Sequence, residues 1–477
     1  MPDGSAGLVI ETMDAPPELD AAIRSVLRAN QPAILDSSLP HPAYGRYTIL
    51  ACDPAETIIC PNPAGTDPVA MLDRAVGQTP RIGAAPPVDG NVPFAGGWIG
   101  FLAYEAGRWL ERLPARTGYH RFLPTAWFAL YDAAAIYDRL CKQWLLVGVD
   151  WPRGSRFGKR PPVKTRLRQL QAALGQRVAT DDQDYSQTAL RARSDFSRRE
   201  YEQAVARAIE YIAAGDIFQV NLSQRLVVAT EQDPADLFLR LRQHNPSSFG
   251  AYLRPPGAAI VSASPELFLS LRGRDVVTRP IKGTRRRAAD PDEDARLREE
   301  LRQSPKDRAE LAMIIDLERN DLGRVCEYGS IRVVEAAAME CHPTVHHLVA
   351  TVTGRLREGL NAVDLLRATF PGGSITGAPK IRAMEIIDEL EPVPRGVYCG
   401  SIGYVALDGS AMFNIAIRTI AIGAGEAEVY AGGGIVADST PGGEYDETLA
   451  KAAALLEALG ARLDDAETIA HAAADAR

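Results

Sequence analysis

Cysteine and histidine are scarce in this sequence, with six cysteines and seven histidines among 477 residues. The cysteines include no CxxC pair, and none has a histidine at the spacing of a zinc site. This pattern argues against both a disulfide framework and a structural zinc centre. It is typical of proteins from a reducing compartment, and we therefore expect a cytoplasmic location.

Long apolar runs are missing as well, because no stretch of about 18 uncharged apolar residues occurs. The N-terminal segment has no basic region followed by an apolar one, so we expect neither a secretory signal nor contact with a membrane. The formal net charge of −8 and the pI near 5.6 disfavour a surface that binds nucleic acid. A local cationic pocket for an anionic small molecule is compatible with this charge.

With 46% hydrophobic and 24% charged side chains, the chain has a globular composition and enough length for two or three cores. Residues 1–150 alternate short apolar runs with turns, which predicts a sheet-rich N-terminal region. Residues 151–196 begin with proline, glycine and many basic residues, and we interpret them as a linker with one exposed helix. Residues 197–460 mix helical and strand patterns and are interpreted as an α+β domain.

A single lysine stands in "RPIKGTRRR", residues 279–287. Lys282 follows a run whose alternation suits a half-buried strand, and it precedes a predicted Gly-Thr turn and three arginines. One interpretation is a strand end with a solvated basic turn. The other is a functional amine.

A glycine-rich turn precedes a predicted helix in "FPGGSITGAPKIRAMEIIDEL", residues 370–390. Free backbone N–H groups at the helix start, together with Thr376 and Lys380, would suit a carboxylate or a phosphate. The spacing is not that of a Walker A loop. A tight turn with a helix cap is the structural alternative.

A hairpin with Asp408-Gly409 as its turn is predicted in "CGSIGYVALDGSAMFNIAIRTIAI". Strand alternation after the turn places Arg418 on one face with Asn414 and Ala416. A buried arginine requires an anion, and a carboxylate held through two hydrogen bonds is the natural partner. An internal salt bridge is the alternative to a ligand.

Two glutamates, Glu444 and Glu447, are three residues apart on one face of a predicted helix. Like charges so placed repel each other unless a cation or a proton joins them. Together with Glu310 of an earlier helix they would suit Mg²⁺, which takes a few carboxylates and keeps waters or substrate oxygens. In "CHPTVHHLVATV", strand alternation sends His346 and His347 to opposite faces.

Together these segments resemble the chorismate-utilising enzymes, the family that includes anthranilate synthase component I. The similarity is close over residues 197–455 and weaker in the N-terminal region. It implies an α+β fold with two antiparallel-rich sheets packed face to face, helices outside, and a chorismate-binding catalytic domain at 197–460. The motifs that carry it, in order, are "DIFQVNLSQR", "SASPELF", "PIKGTRRR", "DRAELAMIIDLERNDLGRV", "HHLVATV", "FPGGSITGAPKIRAMEIIDELEP", "CGSIGY", "NIAIRT" and "AGGGIVADSTPGGEYDET".

The resemblance implies that the chain binds chorismate, with Mg²⁺ between the ring carboxylate and the metal ligands Glu310 and Glu447, and with Glu444 close by. It also implies that Glu266 is the general acid for the departing C4 hydroxyl and that His347 lies near that group. The other positions that match the family's substrate site are Gly283, Thr284, Thr376, Tyr404, Arg418, Gly433, Gly434 and Lys451.

Two positions distinguish the branches of this family. Members that add water have a lysine base where this sequence has Gln219, and glutamine cannot take a proton from water. Members that form anthranilate have alanine where Lys282 stands. The PIKGT form is similar to the branch in which lysine attacks C2, ammonia enters at C4 and 4-amino-4-deoxychorismate forms. Arg286 departs from the family, which usually has proline there.

Two partners follow from the same resemblance. The sequence has no GxCxGxQ-like nucleophile elbow of an amidotransferase, so ammonia is expected from solution or from a separate glutamine amidotransferase subunit. Ser37, Tyr44, Arg46 and Tyr47 resemble the region where relatives bind tryptophan, and tryptophan is therefore a possible ligand.

Overall fold

The computed structural model describes residues 5–13, 16–39, 41, 44–62, 65–82, 92–176, 190–342 and 345–463. The strands of these residues are β1 (Gly7–Thr12), β2 (Ala33–Asp36), β3 (Tyr47–Ala51), β4 (Glu56–Cys60), β5 (Gly97–Leu102), β6 (Ala126–Tyr131), β7 (Ala133–Asp138), β8 (Gln143–Asp150), β9 (Leu190–Ser194), β10 (Gln219–Ala229), β11 (Phe249–Leu253), β12 (Ala258–Ser264), β13 (Leu267–Arg272), β14 (Asp275–Arg279), β15 (Ile281–Arg286), β16 (Arg332–Cys341), β17 (Val345–Arg355), β18 (Gly377–Ala378), β19 (Ser401–Ala406), β20 (Ala411–Asn414), β21 (Thr419–Gly423), β22 (Glu426–Ile435) and β23 (Ala461–Leu463). The α-helices are α1 (Leu19–Leu27), α2 (Pro68–Gln78), α3 (Val163–Leu174), α4 (Arg198–Ala213), α5 (Pro234–His244), α6 (Pro291–Gln303), α7 (Pro305–Gly323), α8 (Ala362–Thr369), α9 (Lys380–Leu390) and α10 (Pro441–Leu459).

The described strands form two sheets. Sheet I has thirteen strands in the order β1-β8-β7-β3-β2-β11-β12-β21-β22-β10-β9-β23, with β18 paired to β10. Sheet II has ten strands in the order β15-β17-β14-β13-β20-β19-β5-β6-β4, with β16 paired to β17. Neighbouring strands run antiparallel in both sheets, whereas β23 and β9 run parallel.

Both sheets combine strands from the first 150 residues with strands from the later part. In sheet I, β2 pairs with β11 so that Asp36 is opposite Gly250. In sheet II, β5 pairs with β19 so that Leu102 is opposite Ser401. The expected boundary near residue 150 therefore does not separate two sheets, and the three-part division of the chain stays a prediction.

The sheets pack face to face through a shared apolar cluster. Ile49 and Ile260 of sheet I belong to the same buried cluster as Ile99, Trp127 and Ile402 of sheet II. Helices cover the outer surfaces, with α3 on β7 and β8, α5 on β12, and α10 on β22. The predicted α+β class with two packed antiparallel sheets and outer helices is confirmed.

Helix α3 differs from its prediction as an exposed helix in a linker. Leu167 and Leu170 are buried, because apolar residues recur along one face and pack on the sheet. Arg166 is buried too, and its guanidinium donates to the carbonyl of Asp132 over 2.9 Å and pairs with the carboxylate of the same residue. The prolines and basic residues at the start of this segment concealed that apolar face.

Local signals elsewhere predicted the elements correctly. The Ser197–Glu200 capping box opens α4, with each residue bonding to the backbone of the other. The hairpin of β19 and β20 turns at Gly409, whose φ of +88° favours glycine. Among the described residues, no helix is both long enough and apolar enough to cross a membrane.

Candidate active site

Lys282 lies within strand β15 and not at a strand end. The strand pairs with β17, and its register shifts between Lys282 and Thr284. Gly283, between them, has a φ of +80°, as in a bulge. The sequence predicted a Gly-Thr turn here, and that prediction is wrong because the chain continues as a strand through Arg286 after the irregularity.

The amine of Lys282 is held inside the protein. Its Nζ donates a hydrogen bond to the carbonyl oxygen of Ser374 over 3.1 Å. Burial lowers the pKa of Lys282 below its ordinary value, although the charges of Glu310 and Glu266 oppose the shift. An amine in this position is deprotonated, and so nucleophilic, at a lower pH than a surface lysine.

Glu266 lies between β12 and β13 and is 4% exposed. The hydroxyl of Ser374 donates to its Oε1 over 2.6 Å. Burial raises the pKa of Glu266 to about 7, against the opposing effects of this hydrogen bond and of the charge on Lys282. Near neutral pH, a carboxyl with such a pKa still holds a proton that it can donate to a leaving group.

The glycine-rich turn that carries Ser374 satisfies its own polar groups. The hydroxyl of Thr376 donates to the carbonyl of Gly372 over 3.0 Å. The ammonium of Lys380 pairs with Asp321 and donates to two backbone carbonyls. A tight turn with a helix cap is therefore the better description of this segment, because the ammonium of Lys380 is already paired within the protein.

The two glutamates of α10 face strand β22. A Cβ atom built on Gly433 would lie 2.9 Å from Oε2 of Glu444 and 3.6 Å from Oε1 of Glu447, so glycine keeps this space open. Ser439 donates to the other oxygen of Glu444 over 2.6 Å. The ammonium of Lys451 lies 2.7 Å from Glu447 and also donates to the backbone of β22.

Charges link these glutamates to the amine. Burial raises the pKa of Glu310, with an opposing effect from Lys282 and a reinforcing one from Glu444. Burial would also raise the pKa of Glu447, but the charge of Lys451 holds it below its ordinary value. The acids predicted from separate helices thus lie close enough to Lys282 for Glu310 and Glu447 to influence its pKa.

The carboxylates of this region form an incomplete set of ligands for a metal ion. In the described part of the chain, no three acid, histidine or cysteine side chains already form a metal cage. Glu444 and Glu447 nevertheless direct two carboxylate oxygens at the space above Gly433, and the charge of Glu444 reaches Glu310 closely enough to raise its pKa. Two or three carboxylates with room for waters fit Mg²⁺, which keeps part of its hydration shell.

Gln219, on β10, lies against Gly434. A Cβ on that glycine would be 2.0 Å from Nε2 of Gln219. The amide is 1% exposed, and its Oε1 has no hydrogen-bond partner within the described residues. A buried acceptor without a partner costs about 1–3 kcal/mol, which a donor on a bound molecule would offset.

His347 and Arg418 line a cleft of about 590 Å³, together with Pro265 and Ile281, which are the chain neighbours of Glu266 and Lys282. Nδ1 of His347 is 2.8 Å from the hydroxyl of Thr284. Burial and the nearby charges of Arg418 and His342 lower the pKa of His347 to about 3, so its ring is neutral at pH 7. His346 faces the opposite side and contacts Asp294, as strand alternation predicted.

Arg418 does not continue the strand of the predicted hairpin. Strand β20 ends at Asn414 and β21 begins at Thr419 in the other sheet, so the intervening residues cross between the sheets. Arg418 has a φ of +49° in this crossing. Across the described chain, its guanidinium forms no ion pair and no hydrogen bond of its side chain, which favours the ligand interpretation over an internal salt bridge.

Tyr404 lines a second cavity of about 600 Å³, whose described lining includes neither Lys282 nor the acids Glu266, Glu310, Glu444 and Glu447. Its hydroxyl donates to the carbonyl of Pro93 over 2.8 Å. The structure thus does not bring Tyr404 to the acids, because strand β19 presents it to the space between the sheets. The same cavity is lined by the four residues predicted to bind tryptophan, Ser37, Tyr44, Arg46 and Tyr47.

Two charged side chains of this region, Glu318 and Lys306, were not predicted from the sequence. Glu318, on α7, is 2% exposed and accepts from the backbone N–H of Gly373 over 3.2 Å. Lys306, at the start of the same helix, affects the pKa values of Glu310 and Glu447. Both residues lie on the helix of Glu310, Lys306 four residues before it and Glu318 eight residues after it, and this spacing was the available signal.

The chain belongs to the chorismate-binding enzyme family, whose model matches residues 37–457. It is 41% identical over 438 residues to aminodeoxychorismate synthase component 1 of Klebsiella aerogenes. The aligned region covers 89% of this chain and 93% of that relative. It is 42% identical over 407 residues to anthranilate synthase component 1 of Streptomyces coelicolor, or 83% of this chain and 78% of the relative. The solved structure of anthranilate synthase component I from Streptococcus pneumoniae superimposes with a TM-score of 0.74 at 32% identity, covering 87% of this chain and 93% of that one.

Proposed function

We propose that the chain converts chorismate and ammonia to 4-amino-4-deoxychorismate, a precursor for 4-aminobenzoate and folate biosynthesis. The proposal depends on one observation, which is that an amine and an acid are both hydrogen-bonded to the same residue. Lys282 and Glu266 both bond to Ser374, and burial shifts both towards their uncharged forms. A neutral amine and a protonated carboxyl are the forms that attack a ring carbon and release a hydroxyl.

The reaction takes two displacements. The neutral amine of Lys282 attacks C2, the ring double bonds shift, and the C4–O bond breaks while Glu266 gives its proton to the hydroxyl, which leaves as water. Ammonia then attacks C4, the double bonds shift back, and the C2–N bond breaks to release Lys282. The proton that the new ammonium group loses returns to Glu266, so the enzyme is restored.

Two groups bind the substrate in this proposal. The guanidinium of Arg418, with which no described residue pairs, takes the enolpyruvyl carboxylate, since guanidinium and carboxylate match through two hydrogen bonds. Glu310, Glu444 and Glu447 would hold Mg²⁺ at the ring carboxylate. When bound, the ion would lower the charge that the carboxylate presents to these acids.

Ammonia reaches the ring from a separate glutamine amidotransferase subunit or from solution. Oε1 of Gln219 accepts from none of the described residues. This supports ammonia as the nucleophile, because an amide oxygen accepts a hydrogen bond from ammonia but is too weak a base to deprotonate water. Tryptophan binding in the second cavity stays a prediction that rests on the residues lining it.

A product assay tests the proposal. Purified protein with chorismate, Mg²⁺ and an ammonium salt should give 4-amino-4-deoxychorismate by mass spectrometry, with the enolpyruvyl group retained. Reactions without ammonium, or with excess chelator, are the controls. Anthranilate together with free pyruvate would overturn the proposal and support the activity of anthranilate synthase. That activity is the main alternative because the chain is 42% identical to the Streptomyces relative.

A second experiment tests the covalent step. With chorismate and no ammonia, the wild-type protein should gain the mass of the substrate less water, and Lys282→Ala should not. Lys164→Ala, which removes an exposed lysine of α3, is the matched control and should still form the adduct. An adduct that persists unchanged in Lys282→Ala would reject covalent catalysis by this residue.

A further inference from the structure

Ser374 contacts both groups that the proposed reaction uses. Its side-chain hydroxyl donates to Oε1 of Glu266 over 2.6 Å, and its backbone carbonyl accepts from Nζ of Lys282 over 3.1 Å. The residue is 6% exposed, so water does not compete freely for either bond. One residue thereby fixes the relative position of the acid and the amine.

We propose that Ser374 is a positioning residue, whose hydroxyl and carbonyl hold Glu266 and Lys282 so that acid and nucleophile meet the same ring. The inference rests on the proposed roles of these two groups. Ser374 does not itself react and acts through Glu266 and Lys282.

The turn does not need the hydroxyl of Ser374 for its own stability. Thr376 already bonds to the carbonyl of Gly372, and the N–H of Gly373 bonds to Glu318. Neither of these bonds involves the hydroxyl of Ser374. The bond from Ser374 therefore serves the carboxyl of Glu266 and not the fold of the turn.

The hydroxyl also sets the charge state of the acid. A donor favours the ionised carboxylate, so it holds the pKa of Glu266 lower than burial alone would. The other groups facing Glu266 are Lys282 on β15, which favours the ionised form, and Glu318 on α7 and Cys399 before β19, whose negative forms disfavour it. None of these three is altered by a change at the Ser374 side chain.

Ser374→Ala tests the proposal because it removes the hydroxyl and keeps the carbonyl that binds Lys282. The pKa of Glu266, followed by infrared difference titration of its carboxyl band, should rise by about one pH unit, as expected for the loss of one hydrogen bond to a charged group. The alkaline limb of the kcat/KM profile for chorismate should move upward by the same amount. At the optimum, kcat should fall about 10-fold to 100-fold with little change in KM, since a misplaced acid slows the reaction without weakening binding.

Ser374→Thr keeps a hydroxyl and should restore the wild-type pKa and pH profile. An unchanged pKa of Glu266 in Ser374→Ala would overturn the proposal, and so would equal shifts in the alanine and threonine variants, which would indicate a packing effect. The infrared titration needs folded protein and no turnover. The kinetics follow loss of chorismate whichever product forms, so a different product would refute the proposed function while leaving this inference testable.

Discussion

Glu266→Gln should stabilise the folded protein at alkaline pH. The pKa of Glu266 is raised from 4.5 to about 7 in the folded state, so the wild-type protein loses stability as pH rises through this interval. Below pH 4 the carboxyl is protonated in both states and contributes nothing. Well above pH 7 it is ionised in both, and the buried charge costs about 3.5 kcal/mol, from about 2.5 pH units at about 1.4 kcal/mol each.

Glutamine has the shape of the protonated acid and cannot ionise. The free energy of unfolding of Glu266→Gln should therefore exceed that of the wild type by about 1 kcal/mol at pH 5 and about 3 kcal/mol at pH 8. Urea unfolding followed by tryptophan fluorescence at matched pH values measures this difference. Glu358→Gln, which changes an exposed glutamate, should show no such trend. A difference for Glu266→Gln that is constant between pH 5 and pH 8 would refute the raised pKa and the role of a proton donor with it.

Two further substitutions test where the substrate binds. Arg418→Lys should raise KM for chorismate about 10-fold or more, because an ammonium cannot make the two parallel hydrogen bonds of a guanidinium; steady-state kinetics that match the wild type would remove Arg418 from the site. Tyr404→Phe should leave KM for chorismate within about 2-fold and lower the free energy of unfolding by about 1 kcal/mol, since only the bond to Pro93 is lost. A large rise in KM for Tyr404→Phe would instead support the role that the sequence predicted for it.

Local elements of the fold were predictable because their signals are local. A serine and a glutamate three residues apart opened α4, and a glycine with positive φ turned the hairpin of β19 and β20. The order of strands in the sheets was not predictable in this way. The pairing of β2 with β11 joins residues more than 200 positions apart, and no pattern within either strand specifies its partner.

In the candidate site too, local patterns were predictable and long-range contacts were not. Helical spacing placed Glu444 and Glu447 on one face, and strand alternation placed His346 and His347 on opposite faces. Lys380 could not be judged, because its partner Asp321 comes from another helix and is distant in sequence. For Arg418, alternation failed because the chain leaves one sheet for the other between Asn414 and Thr419.

One physical cause explains how an acid and an amine can share a site without neutralising each other's function. In water, Glu266 and Lys282 would exchange a proton and form an ion pair, which leaves neither an acid nor a nucleophile. Burial penalises the charged form of each, and it is the largest influence on both pKa values, ahead of their mutual attraction. Ser374 bonds to both without supplying a net charge, so it orients them while burial keeps their pKa values shifted towards each other. The reactivity of the pair therefore depends on excluding water from the turn at 372–376 as much as on the two side chains themselves.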